Sequence, residues 1–291
     1  MLGRVPVAAT GAVVVGALVA AGLGGAPPAQ AAAAVDVPCS APALASAMAS
    51  ASSGATLSLA AGCVYVLTAG LPEVSQVLTI AGNGATLERS YAPGTAAFTI
   101  VTVDSGALTV DKLNFRHGSG AISVSDFGQL TVNGGTFTGN SAADGGAIYS
   151  DAEIYAPQLN GATFTGNSAT GDGGAIYNYS PAVAMVVDQC TFTGNKAAVS
   201  GGAIWEFGVG GLVNASTLRQ NTAGSGGAAW VSEDSGEAFF DTVIQGNAAS
   251  GDGAAFTLPL AGMAQSSITA RFPATMRAAW VVASTRVRSR P

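Results

Sequence analysis

His117 is the single histidine of this 291-residue chain. It closes Asp111-Lys112-Leu113-Asn114-Phe115-Arg116-His117, the one dense group of charged side chains in the sequence. Lys112, Arg116 and His117 have the chemistry to take or give a proton beside a bound substrate. Asp104 and Asp126, each two residues before a glycine, and Asp144 and Asp172, each before a Gly-Gly pair, stand a repeat apart. Carboxylates held that close either raise a pKa or share a hard cation such as Ca²⁺; as solvated turn acids they do neither, and no metal site or cofactor is expected. A lone histidine rules out metal centres built on several histidines and confines any Ser-His-Asp arrangement to His117, which is expected at the surface.

A second set of residues repeats. Tyr149, Tyr177, Trp205, Trp230 and Phe256 each close a Gly/Ala-rich segment of the type Gly-Gly-Ala-Ile-aromatic. Outward-facing rings in a row offer flat apolar surface for sugar rings, so this column is the candidate ligand-binding face. Alternatively the rings only stack on one another, adding about 0.5–1.5 kcal/mol per pair.

The elements that carry these residues follow from the period. Asn140, Asn167, Asn195, Asn221 and Asn247 are separated by 27, 28, 26 and 26 residues. Periods of 20–50 residues signify stacked supersecondary units. Within each unit Phe137, Phe164, Phe192, Leu218 and Ile244 share one column, and Gly135, Ala162, Cys190, Ser216 and Thr242 share another two residues earlier, with threonines between. That is the period-two pattern of a strand buried on one side, and it places Cys190 inside. An Asx column at Asp111, Asn133, Asn160, Asp188 and Asn214 marks a corner. Three short strands and three bends per unit predict an all-β, right-handed parallel β-helix of about eight turns.

The chain ends complete the organisation. Residues 1–31, an uncharged run after Arg4 ending in Ala29-Gln30-Ala31, fit a secretory signal peptide. Residues 32–75 are expected to form an N-terminal cap, 76–260 the repeats, and 261–291 an irregular basic tail that is a cap, a loose segment or a shifted reading frame. In an oxidising compartment Cys39 and Cys63 are expected to pair, for about 3 kcal/mol. Ser40 N-caps a short helix over 40–52, with Leu44 and Met48 on one face, that covers the open end of the stack. With 17 acidic against 11 basic residues, nucleic acid is excluded as a partner. A monomer without stable membrane insertion after signal cleavage is expected.

The pairs Phe137–Asn140 with Gly145–Ile148, Phe164–Asn167 with Gly173–Ile176, and Phe192–Asn195 with Gly201–Ile204 resemble the FxxN and GGAI repeats of the polymorphic outer membrane protein family. They are also similar to repeats of secreted actinobacterial β-helix proteins in the wider pectate-lyase-like superfamily. The first resemblance implies an adhesive, surface-displayed role; its adhesins end in a membrane β-barrel, for which the C-terminal segment lacks the alternating strands. Leu258-Pro-Leu-Ala-Gly262 lacks the threonine of a wall-sorting signal, so free secretion or loose wall association is expected. The second resemblance implies lyases and hydrolases of acidic polysaccharides. A lyase would centre on Asp104, Asp111, Lys112, Arg116, His117 and Asp126. A hydrolase would need a Gly-His-Gly segment and an Asp cluster, whereas Arg116 stands in the first glycine's place and no Asp-Asp pair exists. The expected function is therefore a secreted scaffold with an adhesive or carbohydrate-binding surface whose partner is cell-wall or extracellular polysaccharide. Catalysis on acidic polysaccharide is the alternative.

Overall fold

The computed structural model describes residues 33–209, 211–232, 238–253 and 256–257. The expected signal segment and basic tail lie outside these residues. The chain coils through about eight turns of parallel β-helix, in the right-handed sense that parallel crossovers adopt. Among the described residues every strand pairing is parallel.

Each turn from residue 129 onward visits four sheets, one more than the spacing predicts. In chain order, sheet 1 has nine strands from Val35–Val37 to Ala238–Phe240, and sheet 2 has eight from Val64–Leu67 to Val243–Gln245. Sheet 3 has five two-residue strands from Ser141–Ala142 to Ala248–Ala249, and sheet 4 has seven from Val101–Asp104 to Phe256–Thr257. Sheet 3 escapes sequence analysis because two residues are too few to show a period of two.

Alternation along sheets 1 and 2 buries every second residue, so the inward positions line up as columns. In sheet 1, Leu57, Ile80, Val110, Val132, Leu159, Val187 and Val213 pair in register and face inward. In sheet 2 the buried column runs Tyr65, Leu87, Phe115, Phe137, Phe164, Phe192 and Leu218. The four phenylalanine rings of that column stack at 4.9, 4.7 and 4.7 Å, a spacing imposed by neighbouring strands about 4.8 Å apart.

The corners need left-handed backbone. The residue after the Asx column has positive φ at Lys112, Gly134, Gly161, Gln189 and Ala215. The corner between sheets 2 and 3 uses His117, Gly139, Gly166, Gly194, Gln220 and Gly246 in the same way. His117 therefore occupies a position that most turns give to glycine.

The first turn is closed by helix α1, Ala41–Ser50. Its Leu44 and Met48 join the core. Ser40 stands at the N-cap and its carbonyl accepts the Leu44 N–H at 3.0 Å, but its hydroxyl makes no capping bond; Pro42 in the first turn already removes one of the donors a cap would satisfy. Cys39 and Cys63 are disulfide-bonded with Cα atoms 5.7 Å apart, tying the residue before the helix N-cap to the start of sheet 2. Tyr65 completes the closure: its hydroxyl donates to Val37 O and accepts the Ala60 N–H, both at 3.1 Å.

Candidate functional site

Sheet 4 presents the aromatic column on its outer side. Ile148, Ile176 and Ile204 pair in register and are buried, so the next residues, Tyr149, Tyr177 and Trp205, face outward and are half-buried. Trp230 continues the column. Phe256 does not: it pairs with Ala229, and Thr257 pairs with Trp230. Aligning Phe256 with the ladder is off by one residue. The Gly253 corner follows an extra residue in the preceding bend, and a one-residue slip exchanges the two faces of a strand.

The rings form a ladder. Centroids lie 5.0 Å apart for Tyr149–Tyr177, 4.3 Å for Tyr177–Trp205 and 5.0 Å for Trp205–Trp230, with interplanar angles of 10°, 1° and 2°. Near-parallel stacking at this spacing means that inner rings cover one another's faces and turn their edges to solvent. A second lane widens the strip: Tyr179 and Phe207 stack at 4.8 Å and are exposed, with Phe207 6.2 Å from Trp205. The sequence columns pass over this lane because only two successive units carry it.

Carboxylates border the ladder. The Tyr149 hydroxyl donates to Asp151 Oδ2 at 3.2 Å. Burial, and then the neighbouring Asp151, push the Tyr149 phenol up to about 12. Burial raises Tyr177 too, followed by Asp144 and Asp172. At the corner before sheet 4, Asp144 Oδ1 accepts the Asp172 N–H at 2.7 Å, so these acids do sit one turn apart. Asp172 is itself raised by burial, partly opposed by hydrogen bonds from Ser200.

The charged residues of the proposed catalytic set are not brought together. Asp104 and Asp126 lie at the corner between sheets 4 and 1, Asp111 and Lys112 between sheets 1 and 2, and Arg116 and His117 at the far end of sheet 2. Asp104 pairs with Ser125 rather than with Asp126, because the later bend is one residue longer. The two carboxyl groups still meet, and the hydrogen bond and charge of Asp104 raise Asp126. Asp111 Oδ1 accepts from Asn133 Nδ2 at 2.7 Å within the Asx corner. Arg116 bonds Glu88 at 2.7 Å, His117 Nδ1 lies 3.3 Å from the same carboxylate, and Arg89 Nε donates to the His117 carbonyl at 2.8 Å. Arg116 and His117 are thus taken up by local corner structure. Among the described residues no group of three His, Cys, Asp or Glu side chains is placed to hold a metal ion.

Two polar columns inside the coil were missed. Asn140, Asn167, Asn195 and Asn221 are fully buried at the end of sheet 2 and bonded from turn to turn. On sheet 4, Asn178 Nδ2 donates to both carboxyl oxygens of buried Glu206 at 3.0 and 2.9 Å. The alternation Ile176-Tyr177-Asn178 and Ile204-Trp205-Glu206 carried the second signal, since residues two after an inward isoleucine also point inward.

Turns built this way, with a buried phenylalanine and asparagine followed by a Gly-Gly corner and a ladder residue, recur most faithfully between residues 134 and 205. Residues 134–151, 161–179 and 189–205 match the Chlamydia polymorphic membrane protein repeat. The matches coincide with the three turns that carry Tyr149, Tyr177 and Trp205, so the similarity covers the core of the ladder and leaves the first coils, the helix and the later turns outside it. No curated protein and no solved structure matches the chain. No helix among the described residues is long and apolar enough to cross a membrane.

Proposed function

We propose that this protein is an extracellular, adhesin-like β-helical scaffold that binds polysaccharide along the aromatic strip of sheet 4 and has no catalytic role. The observation that carries this reading is the ladder Tyr149–Tyr177–Trp205–Trp230 with its second lane Tyr179–Phe207, an aromatic strip on strands paired in register. Aromatic surface of this kind has a large apolar area at small conformational cost, and a row of it marks an interaction site. Similarity to the polymorphic membrane protein repeat supports display at a surface. The Cys39–Cys63 bridge fits an oxidising compartment, as does the secretory signal expected at 1–31.

The competing reading, a lyase or hydrolase of acidic polysaccharide in the pectate-lyase-like superfamily, has its residues at three different corners, where a substrate would not meet them together. A glycan-array screen including polyuronate, with ultraviolet absorbance followed for unsaturated product, separates the two. Retention without product, lost in Tyr177→Ala and Trp205→Ala, is the expected result. Product formation that disappears in Arg116→Ala would overturn it.

A further inference from the structure

The ladder begins abruptly, and its first ring, like its last, stacks on a single neighbour. Tyr149 stacks on Tyr177 with one face, while on the other side its register partners are Ser123 and then Thr102. Where the column would continue there is a cleft of about 390 Å³, lined by Tyr149, Ser123, Thr99, Ser119 and Asp144 among others. That volume is in the range of about 300–1,000 Å³ usual for small-molecule sites. Inner rings of the ladder have both faces covered by neighbours; Tyr149 keeps one face toward this cleft.

The cleft has a definite chemistry. Aromatic Tyr149 lines it together with the hydroxyl-bearing residues Ser123, Ser119 and Thr99, the Thr99 hydroxyl donating to Ser119 O at 3.1 Å. Asp144 is the one charged side chain in the lining. Its Oδ1 accepts the Asp172 N–H, and a carboxylate has further acceptor capacity. Asp172 lies one turn away and Asp151 on the Tyr149 hydroxyl, so like charges surround Asp144. A cation set against an aromatic face beside a carboxylate gains from both, while a second carboxylate entering the cleft meets repulsion.

We propose that this cleft is a terminal subsite for one hexopyranose ring bearing a free ammonium group. The sugar stacks on the open face of Tyr149 as the next step of the ladder, and its ammonium donates to Asp144. The proposal rests on the polysaccharide-binding reading and narrows it to a cationic amino-sugar polymer, with uronates excluded.

Isothermal titration of the purified protein with fully deacetylated glucosamine tetramer, its N-acetylated counterpart and tetragalacturonate tests this. The deacetylated tetramer is expected to bind at least tenfold more tightly than the acetylated one, and tetragalacturonate not at all. Ser123→Tyr extends the ladder into the cleft without removing a ring, and Asp144→Asn keeps the Oδ1 that caps Asp172; each is expected to weaken the deacetylated ligand tenfold or more, with unchanged thermal unfolding. Binding that survives Ser123→Tyr but falls in Trp205→Ala would overturn the cleft and leave the ladder reading standing. Equal binding of acetylated and free amines, unaffected by Asp144→Asn, would overturn the ammonium contact. No binding of any of the three, together with silence on the glycan array, would overturn both.

Discussion

Asn167 hangs from Asn195. The Asn195 Oδ1 accepts both the backbone N–H and the side-chain Nδ2 of Asn167 at 3.0 Å, while Nδ2 also donates to the Phe137 carbonyl at 2.9 Å. The same three bonds recur at Asn140, Asn195 and Asn221, so a continuous amide chain runs inside the coil. Buried amides left without partners cost about 1–3 kcal/mol each. Asn167→Ala orphans the Asn140 N–H and removes one of the donors at the Phe137 carbonyl, and is expected to destabilise by about 2–4 kcal/mol. Thermal unfolding is the measurement. Asn167→Asp keeps the acceptor, loses the donor and buries a charge, so it should be no better than the alanine variant at neutral pH.

The repeat made much of this visible in the sequence. Period-two alternation identified the buried column of Phe137, Phe164 and Phe192 and the small column containing Cys190, because a half-buried strand imposes that period on side-chain size. The asparagines were legible as a repeating mark and silent about their work, since an Asn inside a strand end and an Asn at a bend look alike in a linear chain. Misalignments came where a bend varied by one residue: Phe256 against Trp230, and Asp126 against Asp104. Turn length decides which face a residue takes, and glycine-rich turns hide their length. The cleft beside Tyr149 was invisible for a different reason. It is made by the smallness of Ser123 one turn away, a relationship that exists only once register is known.

The two glycines of each Gly-Gly corner do different work. Gly173 has positive φ, whereas Gly174 has ordinary φ but no room, because a Cβ there would strike the Gly202 carbonyl and the Lys196 backbone. Gly166 provides the contrast, with positive φ and open space around it. Gly166→Ala is expected to cost about 1–2 kcal/mol, the penalty for a left-handed L-residue. Gly174→Ala must displace backbone on the next turn and should cost more than twice as much, with lower yield of folded protein. Denaturation midpoints of the two variants check the order.

Cys190 is expected to be chemically silent. Burial pushes its thiol up to about 11, and Sγ lies 3.3 Å from the Asp188 carbonyl in the small inward column. A disulfide reagent at about pH 8 should label the folded protein at least a hundredfold more slowly than the same chain in denaturant, since only exposed thiolate reacts. Fast labelling of the folded protein would place the residue outside the core. Cys190→Ala follows the precedent of Ala162 in the same column and should cost about 1 kcal/mol or less.

Tyr149 gives the ladder a signature at high pH. The folded protein holds its phenol at about 12, against about 10 for a free side chain. Between those values the unfolded chain loses a proton that the folded one keeps, so folding releases no proton below pH 10 and must take one up above it. The stabilisation is intact below about pH 10 and is lost as pH rises through about 12. Ultraviolet absorbance of phenolate should show a late-titrating component that disappears in Tyr149→Phe. Asp151→Asn should move that component downward only in part, because burial is the larger cause and Asp151 the second.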